Sequence, residues 1–338
     1  MRVHYVAFLC VSFLWLTACS KSPAGPSETS SATLLHGQTV GAIDGAAAAG
    51  LSVQVGAARA VKTDGSGYFQ TDVGVSEPGQ YATAITGGAI VERHTTVTGP
   101  NDRPARLSLI PASFDLQAFN QMFRTANARL QRWTTRPSLV VLATVMAYRG
   151  SNGDEYSATS EQLTGDEVSL MVAHLTEGLA LLTGGTFTAF ESIEIERPSA
   201  GDRVSVTRPG KIVVGRYTGV VSFAQTIGFG RWKEEDDGSV DGGATFFDRD
   251  FDRNDGRRRL LRIHELGHAL GYTHVTARTS IMNPSIGPEP TDFDRAGAII
   301  AFQRTPGNVT PDTDPSSDSH FGTGSLRGGR WADPVFCR

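Results

Sequence analysis

The residues best suited to chemistry in this chain form the pattern H-E-x-x-H-x-x-G-x-x-H, and they are His264, Glu265, His268, Gly271 and His274. His264 and His268 are four residues apart, so on a helix they share one face and can bind one metal ion. On a straight helix His274 would lie about 15 Å further along the axis. Gly271 can adopt a positive φ, end the helix and turn the chain back towards the metal. Three histidines and one position left for water are typical of catalytic zinc.

Glu265 directly follows the first of these histidines. The pattern predicts that its carboxylate lies beside the metal rather than on it. There it can take a proton from a water that zinc activates and pass it to a leaving group. The alternative is an ordinary amphipathic helix, with buried, hydrogen-bonded histidines and a solvent-facing glutamate.

The segment resembles the zinc-binding helix of the metzincin metalloproteases, most closely the matrixin-like branch. Residues 280–284, with the sequence SIMNP, resemble the Met-turn under the metal in that family, although Met282 by type alone could be a core residue. The tyrosine that astacin-like and serralysin-like branches place after this methionine is absent from residues 283–290. The resemblance implies a zinc endopeptidase that acts on proteins or peptides. It assigns His264, His268 and His274 to zinc, Glu265 to catalysis, and structural roles to Gly271 and Met282.

The first 19 residues indicate a targeting segment rather than a folded element. Residues 6–16 form an apolar run too short to span a membrane comfortably, and residues 16–19 resemble a bacterial lipobox. In that motif the cysteine becomes the lipid-modified first residue. We therefore expect a lipoprotein attached to the bacterial cell envelope through Cys19. Ser20 in place of an aspartate favours the outer membrane, facing the periplasm or the exterior. A plain secretory signal and a retained membrane anchor are the alternatives.

The chain has three cysteines, Cys10, Cys19 and Cys337. Because Cys10 would leave with the signal and Cys19 would be acylated, we expect no intramolecular disulfide. Matrixins often carry a propeptide cysteine that blocks the zinc, but no cysteine lies between Cys19 and the histidine motif. Cys337 could reach the metal from the far end of the chain, although we do not expect it to. Latency is then either absent or achieved in another way.

The expected fold class is α+β, with four segments after the signal. Residues 20–33 are a Ser/Pro-rich flexible tether. Residues 34–110 contain short alternating strands and turns, which predict a small β-sandwich that resembles a carboxypeptidase regulatory-like domain. Residues 111–304 form the metzincin-like α/β catalytic domain, with a mixed twisted sheet and an active-site helix. Residues 305–338 are rich in Pro, Gly, Ser and Asp, and predict an extended or mobile tail.

Several elements of the catalytic segment have clear local signals. Ser113 can cap a helix that would include Leu130, and Thr164-Gly165-Asp166-Glu167 predicts a capping box. Residues 138–146 form an apolar run typical of a buried strand. Thr291-Asp292-Phe293-Asp294 is another capping signal, and it begins a helix expected to reach Arg304. Further strands are predicted at 191–196, 211–217 and 243–247.

The net charge of −4 and the absence of a dense basic patch argue against nucleic acid. Residues 234–256 are acidic, and Asp248, Asp250 and Asp252 alternate as calcium ligands can. No glutamate closes this loop as in an EF-hand, which favours a solvated loop over a calcium site. The predicted function is a lipid-tethered zinc endopeptidase. The alternative is a non-catalytic cell-surface binding module that retains a metzincin fold.

Overall fold

The computed structural model describes residues 33–124, 128–148, 156–219, 226–316 and 329–337. The expected signal and nearly all of the expected tether, residues 1–32, lie outside these ranges. None of the helices in the described ranges is both long and apolar enough to cross a bilayer. The described residues all belong to one compact unit that begins at Thr33. Helices and several sheets are both present, so the chain is of the α+β class.

Residues 34–109 form two small sheets that share one apolar core. Their strands alternate buried and solvent-facing residues, as Val53 and Val55 do in the second strand. Gly67 allows a tight turn because its φ is +75°, and a Cβ there would lie 2.3 Å from the Thr39 carbonyl oxygen. The sheet orders are β4-β1-β7 and β3-β2-β5-β6. The strands are β1 (Leu34–Gly41), β2 (Ser52–Val55), β3 (Val61–Lys62), β4 (Tyr68–Asp72), β5 (Gly79–Thr86), β6 (Arg93–Gly99) and β7 (Ala105–Leu109).

A nine-stranded mixed sheet forms the centre of the remaining chain. Its main order is β10-β9-β12-β14-β13-β15, with β11 on β9, β16 on β13 and β8 on β14. The strand β9 is apolar on both faces because each face meets its own core: Val141 packs on the helical side and Val140 on the other. The strands are β8 (Arg132–Trp133), β9 (Ser138–Tyr148), β10 (Tyr156–Gln162), β11 (Ile193–Glu196), β12 (Lys211–Thr218), β13 (Gly228–Glu234), β14 (Ser239–Asp248), β15 (Arg330–Trp331) and β16 (Val335–Cys337).

Helices line one side of this sheet. They are α1 (Leu116–Phe123), α2 (Gly165–Leu182), α3 (Arg249–Asn254), α4 (Arg258–Ala269) and α5 (Asp292–Phe302). The capping boxes predicted at Thr164 and Thr291 are confirmed, each with reciprocal side-chain and backbone hydrogen bonds. The helix α4 packs between α2 and the strands β13 and β14, so the histidine-bearing helix is covered on several sides.

Three predicted boundaries are wrong. Asp115, not Ser113, caps α1, because its carboxylate accepts a hydrogen bond from the Ala118 amide. Leu130 lies beyond this helix, whose last residue is Phe123. The helix α5 ends at Phe302 rather than Arg304, and the Arg304 guanidinium instead bonds Asp312 in the following segment.

The tail expected to be extended or mobile is packed wherever it is described. Asp312 is fully buried and accepts hydrogen bonds from Arg304 and from Arg93 of β6. Residues 330–337 form the two strands β15 and β16, which both pair with β13. Polar residues of this tail find buried ionic partners, one of which is distant in sequence.

Candidate metal centre

The helix α4 places His264 and His268 on one buried face. Both side chains are fully buried, and their ring centroids are 4.8 Å apart. Glycines on neighbouring elements permit this close packing. A Cβ on Gly178 of α2 would lie 3.2 Å from Ile263, and one on Gly230 of β13 would lie 2.6 Å from the Cβ of His268. The first two predicted ligands therefore lie where α4 packs against α2 and the strand β13.

Gly271 ends this helix as the sequence predicts, with a φ of +101°. The amide of Tyr272 donates to the Gly267 carbonyl oxygen, which tightens the turn. The chain then reverses, and the amide of Thr273 donates to the Met122 carbonyl oxygen at 3.0 Å. His274 follows directly, with its ring centroid 5.3 Å from that of His264 and 4.8 Å from that of His268. The three predicted histidines are thus brought together.

Backbone carbonyls orient the two helical imidazoles. His264 Nδ1 donates to the Ile281 carbonyl oxygen at 2.6 Å, and His268 Nδ1 donates to the Tyr272 carbonyl oxygen at 2.7 Å. A proton fixed on Nδ1 leaves the lone pair of Nε2 free for a metal. The two Nε2 atoms are 3.1 Å apart, so both lone pairs face one point.

Cys337 completes this cluster, which corrects the expectation that the tail thiol stays away from the metal. Its Sγ atom lies 2.9, 3.6 and 3.5 Å from the Nε2 atoms of the first, second and third histidine. The thiol is buried, and no disulfide engages it. The position that the sequence reserves for water therefore contains the Cys337 sulfur atom. Pairing of β16 with β13 brings this residue to the site from 63 positions beyond His274.

The four donor atoms fit zinc. They all lie within 4.8 Å of one another, and no other such group occurs among the described residues. Ligands of a tetrahedral zinc, with bonds of about 2.0–2.3 Å, are separated by roughly 3.3–3.6 Å. Cys337 Sγ lies at comparable distances of 2.9, 3.6 and 3.5 Å from the three Nε2 atoms. Three imidazoles and one thiolate suit zinc better than calcium or magnesium, which prefer oxygen.

Burial keeps the imidazoles in the neutral form that binds metals. It lowers the pKa of His264 to about 3 and the pKa of His268 well below its usual range. Burial also lowers the pKa of His274. Neutral histidines can ligate without first losing a proton. Burial raises the pKa of the Cys337 thiol, and the adjacent Glu265 carboxylate raises it further.

Glu265 lies beside the cluster without belonging to it. Its side chain is fully buried, and neither carboxylate oxygen accepts a hydrogen bond from a nitrogen or hydroxyl group in the described residues. Burial raises its pKa well above the usual range, while a contact with the Cys337 thiol opposes that change. A Cβ on Gly228 of β13 would lie 2.5 Å from Glu265 Oε1. A buried carboxylate with so few partners is unusual, which favours a functional role.

Met282 lies directly beneath the helix that carries the ligands. It is fully buried, and a Cβ on Gly267 would lie 2.5 Å from its sulfur. Its loop is held by the Val275 amide, which donates to the Met282 carbonyl oxygen at 2.8 Å. Buried Asp294 accepts hydrogen bonds from Ser280 Oγ and the Ile281 amide. The sequence predicts the capping role of Asp294 in α5 but not its hydrogen bonds to the loop that carries Met282.

The acidic segment 234–256 does not gather carboxylates around a point in the described structure. Asp248 caps α3, Asp250 pairs with Arg249, and buried Asp252 is bound by Arg216 and Arg262. These carboxylates are therefore used in caps and ion pairs rather than presented to a cation. His174 Nδ1 accepts a hydrogen bond from the Arg262 guanidinium at 3.2 Å.

No protein family matches the sequence of this chain, and no curated protein matches it significantly.

Proposed function

We propose that this chain is a zinc-dependent endopeptidase of metzincin type. The observation that carries the proposal is the position of Glu265, a fully buried carboxylate next to three histidines whose Nε2 atoms face one point. His264, His268 and His274 would hold the zinc. Met282 packs beneath the helix that carries the first two histidines, and the turn at Gly271 brings the third to the site. This arrangement goes beyond what is needed for metal binding alone, because Glu265 makes no structural ion pair.

Zinc held there would lower the pKa of a water molecule and polarise the scissile carbonyl. Glu265 would accept the proton of the attacking water and deliver it to the leaving amine. The carbonyl partners of His264 and His268 keep both imidazoles oriented throughout.

A specific observation favours the alternative function, a non-catalytic surface module with a structural zinc. Four protein ligands, here three histidines and Cys337, are typical of structural zinc sites, whereas catalytic sites keep one position open. The two proposals differ in whether the thiol can leave. They also differ in whether Glu265 matters once the thiol is gone.

The test uses purified Cys337→Ala chain and a second chain that also carries Glu265→Ala. Both are loaded with zinc, analysed for metal and incubated with a peptide library and denatured casein. We expect hydrolysis by Cys337→Ala that is lost on chelation and reduced in the double variant. If Cys337→Ala holds one zinc per chain and hydrolyses nothing, the endopeptidase proposal is wrong and the structural-zinc module is favoured.

We further propose that residues 16–19 direct lipid attachment at Cys19 and place the protein in the bacterial envelope, facing the periplasm or the exterior. Mass spectrometry of the membrane fraction tests this. Acylated Cys19 as the first residue is the expected result. A soluble protein whose unmodified first residue lies beyond Cys19 would identify an ordinary secretory signal.

A further inference from the structure

The tail segment 330–337 runs along β13 as an extended peptide. It pairs antiparallel with that strand, first through Trp331 opposite Lys233 and then through Val335 and Cys337 opposite Gly230 and Gly228. The Ala332 amide donates to the Trp232 carbonyl oxygen at 2.8 Å, and the Ile227 amide donates to the Cys337 carbonyl oxygen at 3.0 Å. Without this segment, the outer edge of β13 would offer its backbone groups to another extended chain.

Side chains reinforce this pairing at both ends of the segment. The Arg231 guanidinium lies 5.3 Å from the Trp331 ring centroid and donates to the Ala332 carbonyl oxygen. The Phe336 ring lies 5.5 Å from the ring of Phe229. The tail segment therefore contacts β13 through both backbone hydrogen bonds and side-chain packing, as a bound peptide would.

The end of the segment closes the metal centre. Cys337 contacts all three histidines, and both helical ligands and Glu265 are fully buried beneath this arrangement. A substrate carbonyl could not approach the metal position or Glu265 while the thiol occupies it. The same eight residues thus cover the strand edge and fill the fourth ligand position.

We propose that residues 330–337 are an internal inhibitor, in which β15 and β16 occupy the substrate edge of β13 and Cys337 is a displaceable fourth zinc ligand. This inference rests on the proposed endopeptidase function and concerns its regulation. The thiol binds zinc as a thiolate and releases its proton to solvent. Displacement of the segment opens the fourth position to water and frees β13 to bind an extended peptide. Substrates are accordingly unfolded or loop segments that can pair as a strand.

The first readout is spectroscopic and does not depend on activity. The full chain is loaded with Co²⁺ in place of zinc, and its absorption is compared with that of Cys337→Ala and Cys19→Ala chains. A thiolate-to-cobalt charge-transfer band is expected in the wild type and in Cys19→Ala, the matched cysteine control, and not in Cys337→Ala. A wild-type spectrum without this band overturns the proposal.

The second readout is hydrolysis of a peptide library by the zinc-loaded chains. We expect Cys337→Ala to be at least about tenfold faster than wild type and Cys19→Ala, a change that corresponds to about 1.4 kcal/mol. A wild type as fast as Cys337→Ala overturns the inhibitor and leaves the endopeptidase proposal standing. If both chains are inactive with zinc bound, the function itself fails.

A second variant covers the case in which Cys337→Ala loses its metal or keeps the strand in place. Val335→Pro retains the thiol and interrupts the pairing of β16, because proline cannot donate to a ladder. We expect a weaker cobalt–thiolate band together with faster hydrolysis than wild type. An unchanged band with unchanged hydrolysis would show that the pairing does not hold the thiol at the metal, and would contradict the proposal.

Discussion

Gly267 and Met282 are in such close contact that a side chain at position 267 would overlap the methionine unless the methionine moved. A Cβ built on Gly267 would lie 2.5 Å from the Met282 sulfur and 2.9 Å from its terminal methyl carbon. Gly267 lies between His264 and His268 on the same helix, so the methionine supports the turn that carries both ligands. Since Met282 is fully buried, it can make room only by repacking within the core.

Gly267→Ala should therefore destabilise the chain although alanine is the better helix former. The overlap should cost about 1–3 kcal/mol, against a propensity gain of about 1 kcal/mol. Urea unfolding of the zinc-free chains measures the net change. Gly256→Ala is the matched control, because a Cβ at Gly256 meets nothing within 4 Å.

A double-variant cycle identifies Met282 as the cause of this loss. If the sulfur contact is responsible, Gly267→Ala should be much less harmful in a Met282→Ala background. Additive effects would contradict the packing explanation. Met282→Leu alone should keep the metal and cost under about 1.5 kcal/mol, because the shape is nearly conserved.

Glu265→Ala should retain zinc and lose hydrolysis. The carboxylate is not among the four converging ligand atoms, so the metal content should stay at that of the parent chain. Loss of a general base typically costs on the order of 10²–10⁴-fold in rate. The comparison is made in the Cys337→Ala background, where the fourth ligand position is open. An unchanged kcat/KM would rule out the assigned role.

Asp294→Asn should destabilise the chain and weaken the metal site, although Asp294 touches no ligand. Its carboxylate accepts hydrogen bonds from Ser280, Ile281 and Thr291, and an amide nitrogen in place of one oxygen would oppose these donors. The cost should be about 1–3 kcal/mol. Since the Ile281 carbonyl orients His264, zinc affinity should fall as well, by about 10–100-fold.

Competition with a zinc chelator measures the affinity, and urea unfolding measures the stability. Asp292→Asn is the control, since Asp292 lies in the same first helical turn but is fully exposed. Equal effects of the two substitutions would show that loss of a negative charge in the first helical turn, rather than the contact with the metal-side loop, accounts for the result.

Sequence patterns predicted those parts of the site that are local in the chain. The spacing of His264 and His268, the turn at Gly271 and the caps at Thr164 and Thr291 each depend on residues only a few positions apart. The strand β9 was predicted because both of its faces are buried, which gives a continuous apolar run.

The strand β13 and the fourth ligand were missed for a different reason. Gly228 and Gly230 lower the strand signal, yet they are what allows α4 to approach the sheet. Cys337 reaches the site through pairing between segments about a hundred residues apart, which no local pattern encodes. One signal was available. Cys337 was the only cysteine without an assigned role, and the three histidines left the fourth ligand position of the zinc to water.

Glu167→Gln should make stability less dependent on acid pH. Partial burial raises the pKa of Glu167, but hydrogen bonds from Arg216 and the Thr164 amide and the charge of Arg216 outweigh it and lower the pKa to about 2. A carboxyl with a lowered pKa stabilises the fold above its unfolded value of about 4.5 and loses that contribution as the pH falls towards 2. Its side chain is 23% exposed, so we expect the carboxylate to contribute only about 1–2 kcal/mol to the free energy of unfolding.

Urea unfolding of the wild-type and Glu167→Gln chains should show this difference at pH 6 and a progressive decrease below about pH 5. Glu191→Gln, at an exposed pair with Arg136, should change stability by under about 0.5 kcal/mol throughout. A Glu167→Gln difference that stays constant with pH would contradict the ionic role. Because Arg216 also binds Asp252, which holds Arg262 on α4, this pair links the start of α2 to the helix that carries the metal ligands.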